Sequence, residues 1–400
     1  MSMAPPAAAQ DLGGGLPSTL PPGGEALEFS VGQRVEWRDG DRDAATTIEF
    51  GYRSQTRTQL FEVAADTRLD WGAEDAPEVL PSLSLAYRRD GQSTALALDA
   101  VWTRQDLSVF DPLRLLDLEG PVTIDDLTRL FDAGQRIDRG ISFDYSMGQG
   151  GPVRSTLSVN ASETTYENFG ATAEVPSDRQ SLAVGLDLAF DVTSAASLTV
   201  GLDWRALEVT GEQRRVTRAI DLGYVIDRPR GDLRFGLSHA EGPEGGRTTA
   251  SVGRSVEFPL GTLDARIGVT RNAAEEIELT GSLGLSRAFR TGSLSLDVER
   301  RVRTGAEGEL LTTSLAAEYN RSLSRTVSFS ADASWLRVEE VATDSTAETA
   351  RLGLSVGYAL TRDWQANLGA SYTVRDSDTT GRDSDRTVFL GIERSFAIRP

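Results

Sequence analysis

Residues 351–372 carry the pattern that most restricts what this chain can become. Leu352, Leu354, Val356 and Tyr358 occupy every second position, with Gly353, Ser355 and Gly357 between them. A polar turn, Thr361-Arg362-Asp363, leads into a second arm of Trp364, Ala366, Leu368, Ala370 and Tyr372, interleaved with Gln365, Asn367, Gly369 and Ser371. Side chains of a strand alternate between two faces, so each arm has one apolar face and one polar or small face. Aromatic rings closing an arm of aliphatics suit a strand that crosses a bilayer, with the rings at the interfaces and the aliphatics among acyl chains.

The unit recurs. Residues 316–335 hold Tyr319, a turn from Arg321 to Arg325, then Val327, Phe329, Ala331, Ala333 and Trp335. Residues 185–204 hold Leu186, Leu188 and Phe190, a turn over 191–197, then Leu198, Val200, Leu202 and Trp204. Aromatics ending one arm before a short turn form a series: Tyr52, Tyr87, Tyr145, Phe190, Tyr224, Phe258, Phe289, Tyr319, Tyr358 and Phe396. Successive members lie 30 to 39 residues apart, except for gaps of 58 and 45 around Tyr145. A solenoid would repeat at a nearly fixed period. The looser spacing predicts a meander of membrane-crossing hairpins.

No stretch is long and apolar enough for a membrane helix, and a barrel needs none because only alternate residues meet lipid. There is no cysteine, which removes disulfides and thiolate metal sites. Net charge is −19, and all 41 basic residues are arginine. That acidic balance argues against nucleic acid as a partner.

From residue 26 onward the alternation resolves into twenty arms, the first at 26–37 and the last at 386–397. Connections alternate in kind. Short ones fall at 54–58, 90–92, 148–152, 228–231, 259–261, 290–292, 321–325 and 361–363. Longer ones, rich in Asp, Glu, Thr and Gly, fall at 72–81, 167–179, 241–246, 338–349 and 375–385. Short turns on one side and longer loops on the other are the asymmetry of a transmembrane barrel. Trp37, Trp71, Trp102, Trp204 and Trp335 fall at the long-loop ends of their arms, and Trp364 at the short-turn end. The expected fold class is therefore all-β: a closed antiparallel up-and-down transmembrane β-barrel of about twenty strands, with sixteen as the lower bound. Trp204, Trp335, Trp364 and Tyr372 join the aromatic series as expected interface rings. Ahead of the barrel, Ala7-Ala8-Ala9 resembles the small-residue end of a secretory signal, and 12–25 is a Gly/Pro-rich linker. Residues 1–25 are thus expected to be a signal remnant and flexible linker, and 26–400 the barrel.

Over residues 26–400 the chain resembles the Gram-negative outer-membrane β-barrel superfamily. Its last arm, Val388, Leu390, Ile392, Arg394 and Phe396, resembles the terminal strand with a final aromatic that the barrel-assembly machinery reads, although Ala397 to Pro400 extend past it. The resemblance implies an outer-membrane location with both termini periplasmic. It also implies contact with outer-membrane lipid and lipopolysaccharide, and engagement by the assembly machinery. Arg287 and Arg394 fall on the lipid-facing parity close to an interface, where arginine can snorkel.

The inward parity carries Asp66, Arg68, Asp99, Asp144, Asp187, Asp203, Arg205, Asp264, Arg266, Asp297, Glu299, Glu318 and Asp332. As a pore lining, these charges would set ion preference; as bracing, they would pair across the wall. The stretch 105–138, the third outward loop and the longest, has a helical look over 122–131. Its Leu113, Leu116, Ile124, Leu127 and Phe131 supply apolar surface that needs cover. Porins fold their third outward loop into the lumen, and this loop is similar in position; an outer cap is the alternative. The single histidine, His239, adjoins Ser238 and permits no nucleophile–base–orienter set, so no catalytic residue is expected. The acidic stretch 376–385 lacks regular ligand spacing for calcium, and no cofactor or metal is expected. Two function classes remain: a porin-like passive channel for small hydrophilic solutes with slight cation preference, or a non-conducting scaffold for export, assembly or surface interaction.

Overall fold

β-branched and aromatic residues alternating with Gly, Ser and Thr fit a pleated surface that is apolar on one side only. The computed structural model describes residues 24–38, 41–71, 78–106, 134–168, 177–211, 213–304, 308–341, 345–378 and 381–398. They form one 20-stranded sheet. The first half comprises β1 (Gly24–Arg38), β2 (Asp41–Gln55), β3 (Gln59–Trp71), β4 (Glu78–Asp90), β5 (Thr94–Asp106), β6 (Gln135–Met147), β7 (Val153–Glu167), β8 (Arg179–Thr193), β9 (Ala196–Val209) and β10 (Arg215–Arg228). The second comprises β11 (Gly231–Gly242), β12 (Gly245–Phe258), β13 (Gly261–Arg271), β14 (Ile277–Phe289), β15 (Gly292–Thr304), β16 (Glu309–Ser322), β17 (Val327–Glu340), β18 (Thr346–Ala359), β19 (Trp364–Ser377) and β20 (Gly381–Ile398).

Each strand pairs antiparallel with its sequence neighbour, and β20 closes onto β1 with Phe29 opposite Phe396 and Val35 opposite Leu390. Closure leaves no sheet edge, so every strand backbone is paired without help from water. The hairpin at 351–372 is β18–β19, with Leu352 opposite Tyr372 and Val356 opposite Leu368.

The turns at one rim are tight. Pro229-Arg230 links Arg228 to Gly231, which are themselves paired. Gly231 has φ +115, and a Cβ there would run into the Ser255 carbonyl. Only glycine takes that conformation without strain.

Several connections at the opposite rim are shorter than the sequence suggests. The expected loop 241–246 is a turn between Gly242 and Gly245. Much of 338–349 and 375–385 is ladder, since β17 runs to Glu340 and β20 starts at Gly381. Arg337 faces Glu348, Arg375 faces Asp383, and Trp335 Nε1 donates to Glu348 Oε1 at 2.6 Å. These residues lie beyond the lipid-facing alternation, where the outer face turns polar, so the period-2 signal vanishes although the ladder continues. Likewise the turn placed at 191–197 is mostly strand, with a register shift between Asp191 and Thr193. Of the stretch 105–138, its first residues complete β5 and its last begin β6. Residues 107–133, which include Leu113, Leu116, Ile124, Leu127 and Phe131, lie outside the described residues, as do 1–23.

One inward aromatic rests on the absence of a side chain. Gly369 faces Phe389 across β19–β20, and a Cβ at 369 would overlap the Phe389 ring. The Arg34 guanidinium lies 3.5 Å over that ring, completing a stack from backbone to cation. Gly369→Leu should therefore destabilise the refolded barrel by about 1–3 kcal/mol through overpacking. Adding Phe389→Ala should recover much of the loss in a urea titration. An equal loss with and without Phe389→Ala would show that the ring is not the obstacle.

Candidate pore lining

Which face of the sheet is inside follows from side-chain reach and exposure. Leu352, Leu354, Val356, Leu368, Leu390 and Ile392 share one face and are 38–54 % exposed. On the other face, Glu36 of β1 reaches Arg68 of β3 at 3.4 Å, passing over β2. Side chains converge across intervening strands on the concave side. The polar face is therefore the inner one, and the exposed apolar face is the outer one.

The cross-strand register puts Asp66, Arg68, Asp99, Asp144, Asp187, Asp203, Arg205, Asp264, Arg266, Asp297, Glu299, Glu318 and Asp332 on the inner face. Some are brought together with partners. Asp99 pairs with Arg88 at 2.7 Å, Arg68 with Asp70 at 2.8 Å, and Asp264 with Arg234 at 3.5 Å. Glu299 holds Arg301 at 3.2 Å and Arg303 at 3.7 Å. Asp66 accepts a hydrogen bond from Ser82, and Glu318 one from Asn320 at 2.6 Å. Asp187, Asp203 and Asp221 stand on three adjacent strands, facing Gly201 or Gly185, and are exposed. Most of the remaining wall is Gly, Ser, Thr or Ala, which leaves the inner surface open.

Sequence reasoning missed the inner partners Arg34, Glu36, Arg88, Arg136, Asp138 and Arg234. A signal for several of them exists: opposite charges two residues apart in a strand share a face. Arg34 and Glu36 meet at 2.7 Å, Arg136 and Asp138 at 2.9 Å, and Asp232 and Arg234 at 2.8 Å.

Toward the rim of the longer connections the inner wall changes character. Leu80, Leu207, Leu310, Leu336 and Val338 point inward there and are buried, the last two at 1 % and 0 % exposure. Arg136 is buried beside them at 1 %.

On the outer face, Tyr52, Tyr87, Tyr145, Phe190, Tyr224, Phe258, Phe289, Tyr319, Tyr358, Trp364 and Phe396 lie toward the tight-turn rim. Trp204, Trp335 and Tyr372 lie nearer the other rim. Rings meet across strands, with Phe29–Phe396 at 6.3 Å, Tyr52–Phe61 at 6.2 Å and Tyr319–Phe329 at 6.3 Å. Arg394 lies over Trp364 at 5.3 Å and over Phe396 at 4.4 Å, and Arg287 lies over Phe289 at 5.3 Å. Both outward arginines thus rest on ring faces, where a cation is stabilised electrostatically.

His239 is on the outer face, its Nδ1 2.9 Å from the Thr248 hydroxyl. In the acidic stretch 376–385, Asp385 holds Arg38 at 3.5 Å and Asp378 accepts from the Thr346 backbone and hydroxyl. Among the described residues no group of three or more His, Asp or Glu is arranged to hold a metal ion.

No family model matches the sequence, and no curated protein matches it. Solved structures do match the fold. The siderophore receptor PirA from Pseudomonas aeruginosa is 13 % identical, with a TM-score of 0.54 over 94 % of this chain and 81 % of that one. PirA from Acinetobacter baumannii is 9 % identical, with a TM-score of 0.53 over 92 % of this chain and 80 % of that one. The ferric citrate transporter FecA is 10 % identical, with a TM-score of 0.54 over 94 % and 79 %. The chain thus shares the fold of these receptors and transporters, a closed antiparallel meander of strands.

Proposed function

We propose that this barrel is a passive outer-membrane channel for small hydrophilic solutes, with a slight preference for cations. The observation that carries the reading is the inner wall. Its Gly, Ser, Thr and Ala positions leave room for water, and exposed carboxylates such as Asp187, Asp203 and Asp221 stand along it. Rings of carboxylates favour cations, an effect that salt weakens. In this reading the apolar outer face meets lipid and lipopolysaccharide, and the aromatic rings lie at the interfaces. The strand starting at Gly24 and the strand ending at Ile398 both meet the tight-turn rim, which we place in the periplasm. The barrel-assembly machinery would engage β20. The stretch 105–138, most of which lies outside the described residues, is proposed to restrict the lumen.

Single-channel recording of the refolded protein in planar bilayers tests the channel. Discrete conductance steps are expected, with a reversal potential on the cation side in a salt gradient. Deleting residues 112–132 with a short Gly/Ser bridge should raise the conductance while heat-modifiable migration stays intact. Unchanged conductance in an intact barrel would assign the segment to the outer surface.

Burial of Leu336 and Val338 inside the wall also favours a second reading, a non-conducting scaffold. Absence of any step from a correctly refolded barrel would select it. The structural neighbours are named for siderophores and ferric citrate. Uptake of a ferric chelate that needs this barrel and an energy source would replace passive diffusion with active import.

A further inference from the structure

The inner-face charges are unevenly distributed along the barrel axis. Asp297 lies five residues up its strand from the tight-turn rim, and Asp187, Asp203 and Asp221 lie six or seven up. In the band three to seven residues up, the described inner face carries only two arginines, Arg234 and Arg266, and Arg234 is already held by Asp232 and Asp264. Ten or more residues up, the inner face carries Arg34, Arg136, Arg179, Arg247, Arg303 and Arg375. There carboxylates and arginines are matched, as in Arg34–Glu36 and Arg38–Asp385.

With a rise of about 3.4 Å per residue and a tilt of about 40°, the acidic band is centred roughly 13 Å from the tight-turn rim and the matched segment begins roughly 26 Å from it. The separation exceeds the Debye length of about 8 Å at physiological salt. The two segments therefore act on a passing ion in series rather than as one averaged charge.

We infer that the lumen is electrically asymmetric: a belt near the tight-turn rim in which carboxylates outnumber arginines lies in series with a charge-balanced outer segment, so the channel rectifies. This rests on the conducting reading above. When the tight-turn side is positive, cations pass the belt into the balanced segment while anions arriving from the other side are stopped at the belt. Both ions then accumulate at the junction and its resistance falls. Reversed polarity empties the junction and raises the resistance.

The test is the current–voltage curve of single insertions of the full chain in potassium chloride. Insertion direction is read from a C-terminal tag bound from one side. At about 0.1 M salt the current should be larger with the tight-turn side positive, and the ratio should fall toward unity at about 1 M as screening shortens below the segment length. The combination Asp187→Asn, Asp203→Asn and Asp221→Asn should reduce both the low-salt ratio and the cation preference without closing the pore. If it does not refold, Asp297→Asn serves the same purpose on another part of the wall. Steps of symmetric current at low salt would overturn the inference and leave the channel standing. No steps at all would overturn the channel and the inference with it.

Discussion

Replacing Leu368 with arginine should cost the barrel about 2–4 kcal/mol, the penalty for a cation at the bilayer midplane. Leu368 is four residues from Trp364 and four from Tyr372, so it stands midway between the rings that close its strand. It faces Val356 on one side and Leu390 on the other, and 54 % of it is exposed. An arginine there has no carboxylate opposite it, and either ring is too far along the strand for its guanidinium to reach the interface easily. Gln365 lies on the inner face, where its amide donates to Asn367 Oδ1 at 2.8 Å, and arginine there would meet water. Refolding titrations in urea with lipid vesicles should separate Leu368→Arg from Gln365→Arg by most of that penalty. Equal tolerance of the two would mean that the faces have been exchanged.

A second large effect is expected at Asp138. The Arg136 side chain is 1 % exposed, and its Nε and Nη2 both donate to Asp138 Oδ1, at 3.0 and 2.9 Å. The same oxygen accepts from the Thr164 hydroxyl at 2.7 Å. Asp138→Ala breaks this buried ion pair, a change that costs about 3–5 kcal/mol in comparable buried pairs. Removing both charges, by Arg136→Met with Asp138→Leu, should recover much of the loss, because the desolvation of both ions is then relieved. A loss below about 0.5 kcal/mol for Asp138→Ala would place the pair in water and class it with surface bridges.

The middle of each strand was legible in the sequence because lipid imposes a rule on alternate residues. Leu352, Leu354, Val356 and Tyr358 announce a strand without any knowledge of their partners. The twenty strands and their antiparallel order follow from repeating that pattern between short turns. The rule lapses above the apolar layer. Arg375, Asp383 and Asp385 read as loop, yet they continue the β19–β20 ladder, since a strand with polar residues on both faces has no period to detect. Partners of the inner charges were only half visible. Arg34 and Glu36 are two apart and readable as a pair. The reach from Glu36 over β2 to Arg68 depends on curvature, which a linear pattern does not encode. Nor does the sequence show that Gly369 exists to seat Phe389, because the two meet only through register.

The central claim is that one face of this sheet meets lipid and the other meets water in a closed barrel. The chain has no cysteine of its own, so a nitroxide label can be walked along 364–372 one position at a time. In proteoliposomes, collision with oxygen should peak at Ala366→Cys, Leu368→Cys and Ala370→Cys. Collision with a water-soluble nickel chelate should peak at Gln365→Cys, Asn367→Cys and Ser371→Cys. A two-residue alternation with the two probes out of phase is the expected result. Accessibility to the nickel chelate at every position, or no alternation, would contradict the membrane-spanning barrel.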